Sequence, residues 1–383
     1  MPNLSILRPT LLASACMLVL SACGSSDSDT TITPPTVGVD YQAVLDDAVG
    51  STFPGVVLAI SSPELDFLGS AGLADVASQT AMTPQAIMPT GSAGKKATAL
   101  LVAMLHDQNV LNIDDHIATW LPDTLLAQIE YSDQITLRQL LNHTAGVYDY
   151  LDSETSDIWL NAVLSEPELL KTDAYALQFA LNYPAYFAPG EDFHYSNTGY
   201  LLAGLILDTV LGEHHHKALR QQVLIPFGLN NTFYNALEKD DAEIISGYYV
   251  SDDGETINTK PYYQNIGVAD APLMSSVTDM SALLKALITD TSTINEDIRN
   301  LLIGEDNLID LGDDVYYGLG ISKEIINGVT FYHHGGEELG YQTTNLYIAD
   351  SDTTVTMFVN CHGYSACDEK NDALVQYILS TLL

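Results

Sequence analysis

Gly55-Val56-Val57-Leu58-Ala59-Ile60-Ser61-Ser62 is an apolar run rich in β-branched residues, followed after a short polar turn by Asp66 to Gly72. Val and Ile pack well on a pleated surface, so the two segments predict a β-hairpin near the start of the folded chain. Upstream, Asp40 to Gly50 spaces Tyr41, Val44, Leu45 and Val49 at helical intervals, which predicts a helix leading into the hairpin. Downstream, Ser92 to about Asn109 repeats Ala97, Leu100, Leu101, Met104 and Leu105 with helical period, and Asn112-Ile113-Asp114-Asp115 supplies the next cap. From there to about Leu229 nearly every segment reads helical. The apolar stretch Tyr200 to Leu211 is short and carries Asp208, so it predicts a core helix and not a membrane span. The last third changes character. Tyr317 to Ile325, Val329 to His333, Thr343 to Ile348 and Thr354 to Val359 are β-rich runs separated by Gly, Asn and Asp turns. Asp368 to Leu383 predicts a closing helix whose apolar face holds Leu374, Val375, Tyr377 and Ile378. Strands at both ends with helices between them predict an α/β (α+β) fold: one antiparallel sheet built from both chain ends and flanked by helices, with a mainly helical inserted sub-domain at about 110–230.

The 383 residues are enough to bury a large core. Apolar residues make up 46% and charged residues 16%, which excludes a disordered chain. Lys and Arg number 13 against 50 Asp and Glu, for a formal net charge of −37. Nucleic acid is excluded as a partner on that balance, because neutralising phosphates takes a basic stripe, and the cations here are scattered apart from Lys95 and Lys96. The acid excess fits either a saline habitat or simple solubility, since net charge governs colloidal behaviour and not fold.

Met1 to Arg8 carries one side-chain charge, and Pro9 to Leu20 is an apolar stretch of roughly a dozen residues, too short for a permanent membrane span. Residues 1–22 read as a signal peptide. Leu20-Ser21-Ala22-Cys23-Gly24 resembles the lipobox of bacterial lipoproteins, which implies lipidation of Cys23; an ordinary signal peptide with an incidental Cys is the alternative. Gly24 in the second mature position then implies a lipid-anchored protein of the bacterial cell envelope, on the periplasmic face of the outer membrane or outside the cell, with the lipid membrane as a partner. Residues 23–38 are rich in Ser, Thr, Asp and Pro and read as a flexible tether, which leaves 39–383 as the folded domain. Cys16 leaves with the signal and Cys23 takes the lipid. Cys361 and Cys367 remain, and in an oxidising compartment they are expected to pair; two free buried thiols are the alternative.

Ser92-Ala93-Gly94-Lys95 sets a serine at the start of a predicted helix and a lysine one turn on, on the same face. A serine hydroxyl is a poor nucleophile until a neighbour takes its proton, and a lysine does so only where burial or nearby cations hold it neutral. The helix amino terminus also favours the negative charge that develops. Alone, Ser-x-x-Lys is a weak pattern. Two further sets accompany it. Tyr195-Ser196-Asn197-Thr198-Gly199-Tyr200 follows Phe187-Ala188-Pro189-Gly190, and His334-Gly335-Gly336 follows the strand Val329 to His333 and precedes Gly340-Tyr341. Ile135-Thr136-Leu137-Arg138-Gln139-Leu140-Leu141-Asn142-His143-Thr144-Ala145-Gly146 and Pro226-Phe227-Gly228-Leu229 complete the series. In this order the five segments resemble the serine β-lactamase and penicillin-binding D-alanyl-D-alanine carboxypeptidase family, with its class C-like esterases, over nearly everything after the tether.

The resemblance implies Ser92 as the acylated nucleophile and Lys95 as its proton acceptor. Tyr195 would share acid/base duty, and a phenol with an ordinary pKa of about 10 needs positive charge beside it, here Lys95, to act as a base. Asn197 would hydrogen-bond Lys95 or the substrate amide. His334 occupies the position where many relatives carry Lys and would act directly on the substrate as a catalytic residue, and Gly335 and Gly336 let the strand edge approach the substrate, with Glu337 beside them as substrate-binding. The backbone N–H groups of Ser92 and Glu337 would form an oxyanion hole. His143 falls in a segment taken as structural.

Two features depart from carboxypeptidase practice. Glu337 and Glu338 stand beside the third motif, where relatives that bind a free carboxylate often place hydroxyls or a cation, and like charges about 4 Å apart repel by about 1 kcal/mol even in water. Of the arginines, Arg8 lies in the signal, and Arg138, Arg220 and Arg299 have no reason in the sequence to face the site. An ester or amide acyl hydrolase with an uncharged or cationic small-molecule or peptide substrate fits better than a strict D-alanyl-D-alanine carboxypeptidase. His-Gly-Gly in place of Lys-Thr-Gly argues against a dedicated β-lactamase. A non-hydrolysing penicillin-binding sensor is the alternative of another class. Thr90-Gly91-Ser92-Ala93-Gly94 fails as an α/β-hydrolase elbow, because Thr90 replaces the first glycine and no strand clearly precedes it. His214-His215-His216 lacks the flanking ligand spacing of a catalytic zinc site and reads as a solvated helix start, so neither metal nor cofactor is expected.

Overall fold

Asp40 caps the first helix, α1 (Tyr41–Ala48), by accepting a hydrogen bond from the N–H of Ala43. The structure, a computed structural model, describes residues 38–238, 243–250, 256–363 and 365–383. The expected signal peptide, Cys23 and the tether up to residue 37 lie outside the described residues. The hairpin follows α1: β1 (Gly55–Ser61) runs antiparallel to β2 (Asp66–Asp75), pairing Leu58 with Gly69. The other large-sheet strands come from the end of the chain: β3 (Ile309–Gly312), β4 (Val315–Tyr317), β5 (Ser322–Ile326), β6 (Val329–His333), β7 (Gly336–Glu338), β8 (Tyr341–Ile348) and β9 (Thr353–Val359). β1 pairs antiparallel with β9, joining the two ends in one sheet. The order across it is Thr80–Ala81, β2, β1, β9, β8, β6, β5, β4, β3, with β7 as a short tenth strand on β8.

Alternation along β1 explains why its sequence is apolar without interruption. Val57 and Ala59 point into one core and Val56, Leu58 and Ile60 into another, so both faces are covered. The outer face carries α1 and the closing helix α6 (Ser365–Leu382), through Tyr41, Leu45, Leu374, Val375 and Ile378. The inner face carries α4 (Val277–Thr289), and α2 (Lys95–Asp107), α3 (Asn197–Leu211) and α5 (Glu296–Ile303) share the same core. The observed class is therefore mixed, with a large antiparallel sheet flanked by helices.

The insert is less helical than its sequence suggests. Apart from α3 its helices are short, among them Asp123–Leu126, Leu137–Leu141, Ser156–Ser165 and Asp173–Leu177. Pro122, Pro167, Pro184 and Pro189 interrupt the apolar periodicity between them. The single run expected at Tyr317 to Ile325 is two strands, β4 and β5, broken at Gly318-Leu319-Gly320-Ile321. Gly320 has φ +70° and packs on the start of α2, where a Cβ would come 3.0 Å from the Lys95 carbonyl. Helices α4 and α5 and a small sheet of Met88–Pro89, Leu273–Ser275 and Phe233–Tyr234 have no counterpart in the sequence reading. Cys361 and Cys367 form a disulfide at the end of β9, their Cα atoms 6.2 Å apart. No helix among the described residues is long and apolar enough to cross a membrane.

Candidate active site

The turn that ends at α2 carries the serine. Gly91–Gly94 is a 3₁₀ turn and Lys95 is the first residue of α2, which places the lysine Nζ 2.9 Å from the Ser92 hydroxyl oxygen. Ser92 therefore sits one turn earlier than a helix start, in a 3₁₀ and not an α conformation. Asn197 is the first residue of α3, and its Oδ1 lies 2.7 Å from the same Nζ. The third neighbour is the Asp270 backbone oxygen at 2.8 Å. Two of these partners, an amide oxygen and a carbonyl, can only accept. A neutral amine gives them its two hydrogens and turns its lone pair toward the Ser92 hydroxyl. Burial brings the Lys95 pKa down to about 8, against the pull of Asp270, Asp149 and Glu338.

Three carboxylates surround this one amine. Asp149 accepts from the Asn197 side-chain amide at 3.0 Å and from the backbone N–H groups of Asn197 and Leu151, both at 3.2 Å, which fixes the Asn197 orientation. Asp270 accepts from the Tyr150 hydroxyl at 3.0 Å. Glu338, on β7, is half-buried. Burial raises all three, Asp149 and Glu338 to about 7. The signal that could have found Asp149 and Asp270 is an acid inside an apolar run, Gly146-Val147-Tyr148-Asp149 and Val268-Ala269-Asp270-Ala271.

Tyr195 departs from its expected setting. Lys95 Nζ lies over the ring, 5.1 Å from its centroid, and the buried phenol oxygen has no hydrogen-bond partner among the described residues. Burial pushes the phenol well above its ordinary pKa; the nearby Ser92 hydroxyl opposes this, and Asp270, Asp149 and Glu337 reinforce it. A phenol facing that many carboxylates is held as the acid and not as the base.

Strand β7 closes the site. A Cβ on Gly336 would come 2.0 Å from the Thr90 carbonyl oxygen and 3.0 Å from the Ser92 nitrogen, so only glycine lets the strand lie against the nucleophile turn. This contact brings the Glu337 and Ser92 backbones together. The Glu337 side chain is exposed, with His362 Nε2 3.7 Å from its carboxylate. His334 is buried and both of its ring nitrogens are engaged by the protein, Nδ1 at the Gly335 carbonyl (2.8 Å) and Nε2 at the Tyr317 hydroxyl (3.1 Å). It has no ring nitrogen left for a substrate, contrary to the direct role expected of it. Tyr317, expected only as the start of a strand, also meets His143, which packs at a tilt against Tyr195 with ring centroids 4.1 Å apart.

One group of side chains elsewhere has the composition of a metal site. Ligand atoms of Asp173, His214 and His215 lie within 4.8 Å of one another. Several of their atoms are engaged within the protein: His215 binds Asp208 (2.8 Å) and the Tyr234 hydroxyl (2.7 Å), His214 Nδ1 accepts from the His216 N–H, and Asp173 Oδ1 accepts from the Ala269 N–H. His215 is fully buried, not part of a solvated helix start.

A nucleophile turn, a buried lysine and an asparagine on the first turn of the next long helix, all beside the last strands of an antiparallel sheet, agree with the family model described as Beta-lactamase, which matches residues 42–379. The chain belongs to the beta-lactamase family. Within this family of serine hydrolases it is 28% identical over 181 residues to Penicillin-binding protein 4* of Bacillus subtilis (strain 168), a match covering 47% of this chain and 38% of that protein. It is 26% identical over 262 residues to Protein flp of Staphylococcus aureus, covering 66% of this chain and 50% of that one. The chain thus spans half or less of the length of these curated relatives. The fold matches a penicillin binding protein from Bacillus halodurans at TM-score 0.75, with 23% identity and coverage of 90% of this chain and 100% of that chain. It also matches a D-stereospecific amidohydrolase from Streptomyces sp. at TM-score 0.71, with 22% identity and coverage of 86% and 97%.

Proposed function

We propose that this protein is a serine acyl hydrolase that works through an acyl-enzyme on an uncharged or cationic ester or amide, in preference to a substrate with a free carboxylate beside the scissile bond. The observation that carries the reading is the Lys95 amine, with two hydrogens committed to Asn197 and Asp270 and its remaining position at the Ser92 hydroxyl. Neutral Lys95 takes the Ser92 proton as Oγ attacks the substrate carbonyl. The backbone N–H groups of Ser92 and Glu337 hold the oxyanion, each contributing about 3 kcal/mol when well aligned. Protonated Lys95 returns the proton to the leaving group with the Tyr195 phenol as donor beside it, and water then releases the acyl group.

The charge of the pocket supports the substrate class. Asp149, Asp270 and Glu338 face Lys95, and Glu337 stands on the rim, so a substrate carboxylate meets repulsion and an amine meets attraction. Among relatives of similar fold are a D-stereospecific amidohydrolase and a D-amino acid amidase, which fits an amide of an amine-bearing acid. A lipid anchor at Cys23 would hold the domain at a bacterial envelope membrane, and Cys23→Ala should then release it from the membrane fraction. The substrate test compares 4-nitrophenyl butyrate, an amino acid amide with a free amine, a D-Ala-D-Ala peptide and a chromogenic cephalosporin side by side. Hydrolysis of the first two, well above that of the peptide and the cephalosporin, is expected. Preference for the D-Ala-D-Ala peptide would make the protein a carboxypeptidase, and stable acylation by the cephalosporin without any turnover would make it a receptor.

A further inference from the structure

Behind Tyr195 three buried side chains form a line of hydrogen bonds: His143, Tyr317 and His334, exposed by only 2%, 3% and 7%. The backbone groups at its two ends orient both imidazoles. At one end the Ser196 backbone N–H donates to His143 Nδ1 at 3.1 Å. An amide N–H only donates, so Nδ1 holds the lone pair and Nε2 the hydrogen, and Nε2 lies 3.1 Å from the Tyr317 hydroxyl. At the other end His334 Nδ1 lies 2.8 Å from the Gly335 carbonyl oxygen. A carbonyl only accepts, so here Nδ1 holds the hydrogen, and in the neutral ring Nε2 holds the lone pair, 3.1 Å from the same hydroxyl. Tyr317 then accepts from His143 and donates to His334. The two ends agree on one direction.

Adding a proton to His334 Nε2 would turn the Tyr317 O–H away from it, toward Tyr200, and break the line. The other groups facing His334 oppose a second charge as well: Lys95 and Lys96 from α2 and His333 from β6, with only the Gly335 carbonyl acting the other way. His143 faces Lys95, His334 and His194. Tyr200, also beside Tyr317, gives its own proton to the Leu141 carbonyl at 2.9 Å. The carboxylates of Asp149, Asp270, Glu337 and Glu338 act on Lys95 and Tyr195.

We infer that His143 and Tyr317 are positioning residues that lock His334 as a neutral imidazole protonated on Nδ1, and that this lock makes the β7 edge discriminate against carboxylate-bearing substrates. With its N–H given to its own backbone and its lone pair to Tyr317, His334 presents neither charge nor donor at the place where a cation would attract an anion. The selectivity half of this inference rests on the hydrolase reading above, and the tautomer half does not.

Two readouts test it. Long-range ¹H–¹⁵N correlation spectra of the full chain labelled in histidine should show His143 with its proton on Nε2 and His334 with its proton on Nδ1, neither changing between pH 5.5 and 8 (about the range where an unperturbed imidazole titrates). A His334 that is protonated on Nε2, or that titrates in this range, overturns the lock. In activity, the ratio of kcat/KM for 4-nitrophenyl hemisuccinate to that for 4-nitrophenyl butyrate should be flat with pH in the wild type. In Tyr317→Phe it should rise about fivefold from pH 8 to pH 6, the effect of one charge contact in water-like surroundings. His143→Gln can accept from Ser196 and donate to Tyr317, so it should keep the flat ratio, while His143→Leu should not. A flat ratio in both Tyr317→Phe and His143→Leu overturns the selectivity claim. Wild-type protein that hydrolyses neither ester would sink the hydrolase reading and leave the spectra to judge the lock.

Discussion

Lys95 and Lys96 are neighbours on the first turn of α2, both fully buried, and their surroundings could hardly differ more. Lys95 points into the cleft, between the Ser92 hydroxyl, Asn197 and three carboxylates. Lys96 points into the sheet, where its Nζ donates to the Ala93 carbonyl at 2.6 Å and to Asn345 Oδ1 at 2.7 Å, with no carboxylate shifting it. Asn345 in turn donates to Thr356 on β9 at 2.8 Å. Burial alone brings Lys96 to about 7, lower than Lys95 at about 8. The more easily neutralised amine is thus the one with no hydroxyl to activate. Burial makes an amine available as a base, and only placement gives it a proton to take. The carboxylates hold Lys95 closer to its ordinary value and set the pH at which it works, while Lys96 ties the nucleophile turn to the sheet.

This contrast can be broken most sharply at the cleft. Ser92→Ala should lower 4-nitrophenyl butyrate hydrolysis by about 10,000-fold or more, and Lys95→Met by about 100- to 10,000-fold; retained turnover in either variant would dissolve the difference between the two lysines. A finer test is the pH dependence. The base must be neutral, so kcat/KM should fall as pH drops through about 8, the value for Lys95. Asp270 is the largest charge raising that value, so Asp270→Asn, which can still accept from Tyr150, should move the limb to lower pH by about one unit. A limb that stays in place would mean another group controls it.

The smallest effect on turnover belongs to Lys96. Lys96→Met leaves two buried acceptors without donors and should cost about 1–3 kcal/mol in urea unfolding, with the pH limb of hydrolysis unmoved. The sign with pH follows from its depressed value. Between about 7 and the ordinary 10.5 the unfolded chain holds a proton on Lys96 that the folded protein does not, so this residue's contribution to stability grows as pH rises through that window. The gap between wild type and Lys96→Met should therefore be wider at pH 9 than at pH 7, and a gap that does not widen would mean Lys96 is charged in the fold.

How much of this could be read from the sequence follows from the range of each signal. The unbroken apolar run at 55–62 and the β-rich end of the chain contain the sheet, because each strand there is long enough to show its period and composition. Two- and three-residue strands such as Met88–Pro89 show no period at all. α4 carries a legible period, since Val277, Met280, Leu283, Leu284 and Leu287 are its buried stripe. Motif order led to Ser92, Lys95, Tyr195 and Asn197, and the structure seats Ser92, Lys95 and Asn197 within hydrogen-bonding reach. The surroundings were not legible. Asp149 and Asp270 reach Lys95 from loops 54 and 175 positions along, and Tyr317 meets His143 across 174 positions, separations at which no local pattern constrains a contact. The Tyr195 shift comes from burial, reinforced by that ring of acids, so the sequence could name the phenol without saying whether it was base or acid.

The most direct measurement is covalent labelling with a fluorophosphonate, read by intact mass and peptide mapping across pH 6 to 10, roughly the span in which a buried lysine changes charge. A single adduct on Ser92, forming faster as pH rises through about 8 and absent in Ser92→Ala, is the predicted result. Labelling that persists in Ser92→Ala, or that proceeds at the same rate in Lys95→Met, would contradict the account.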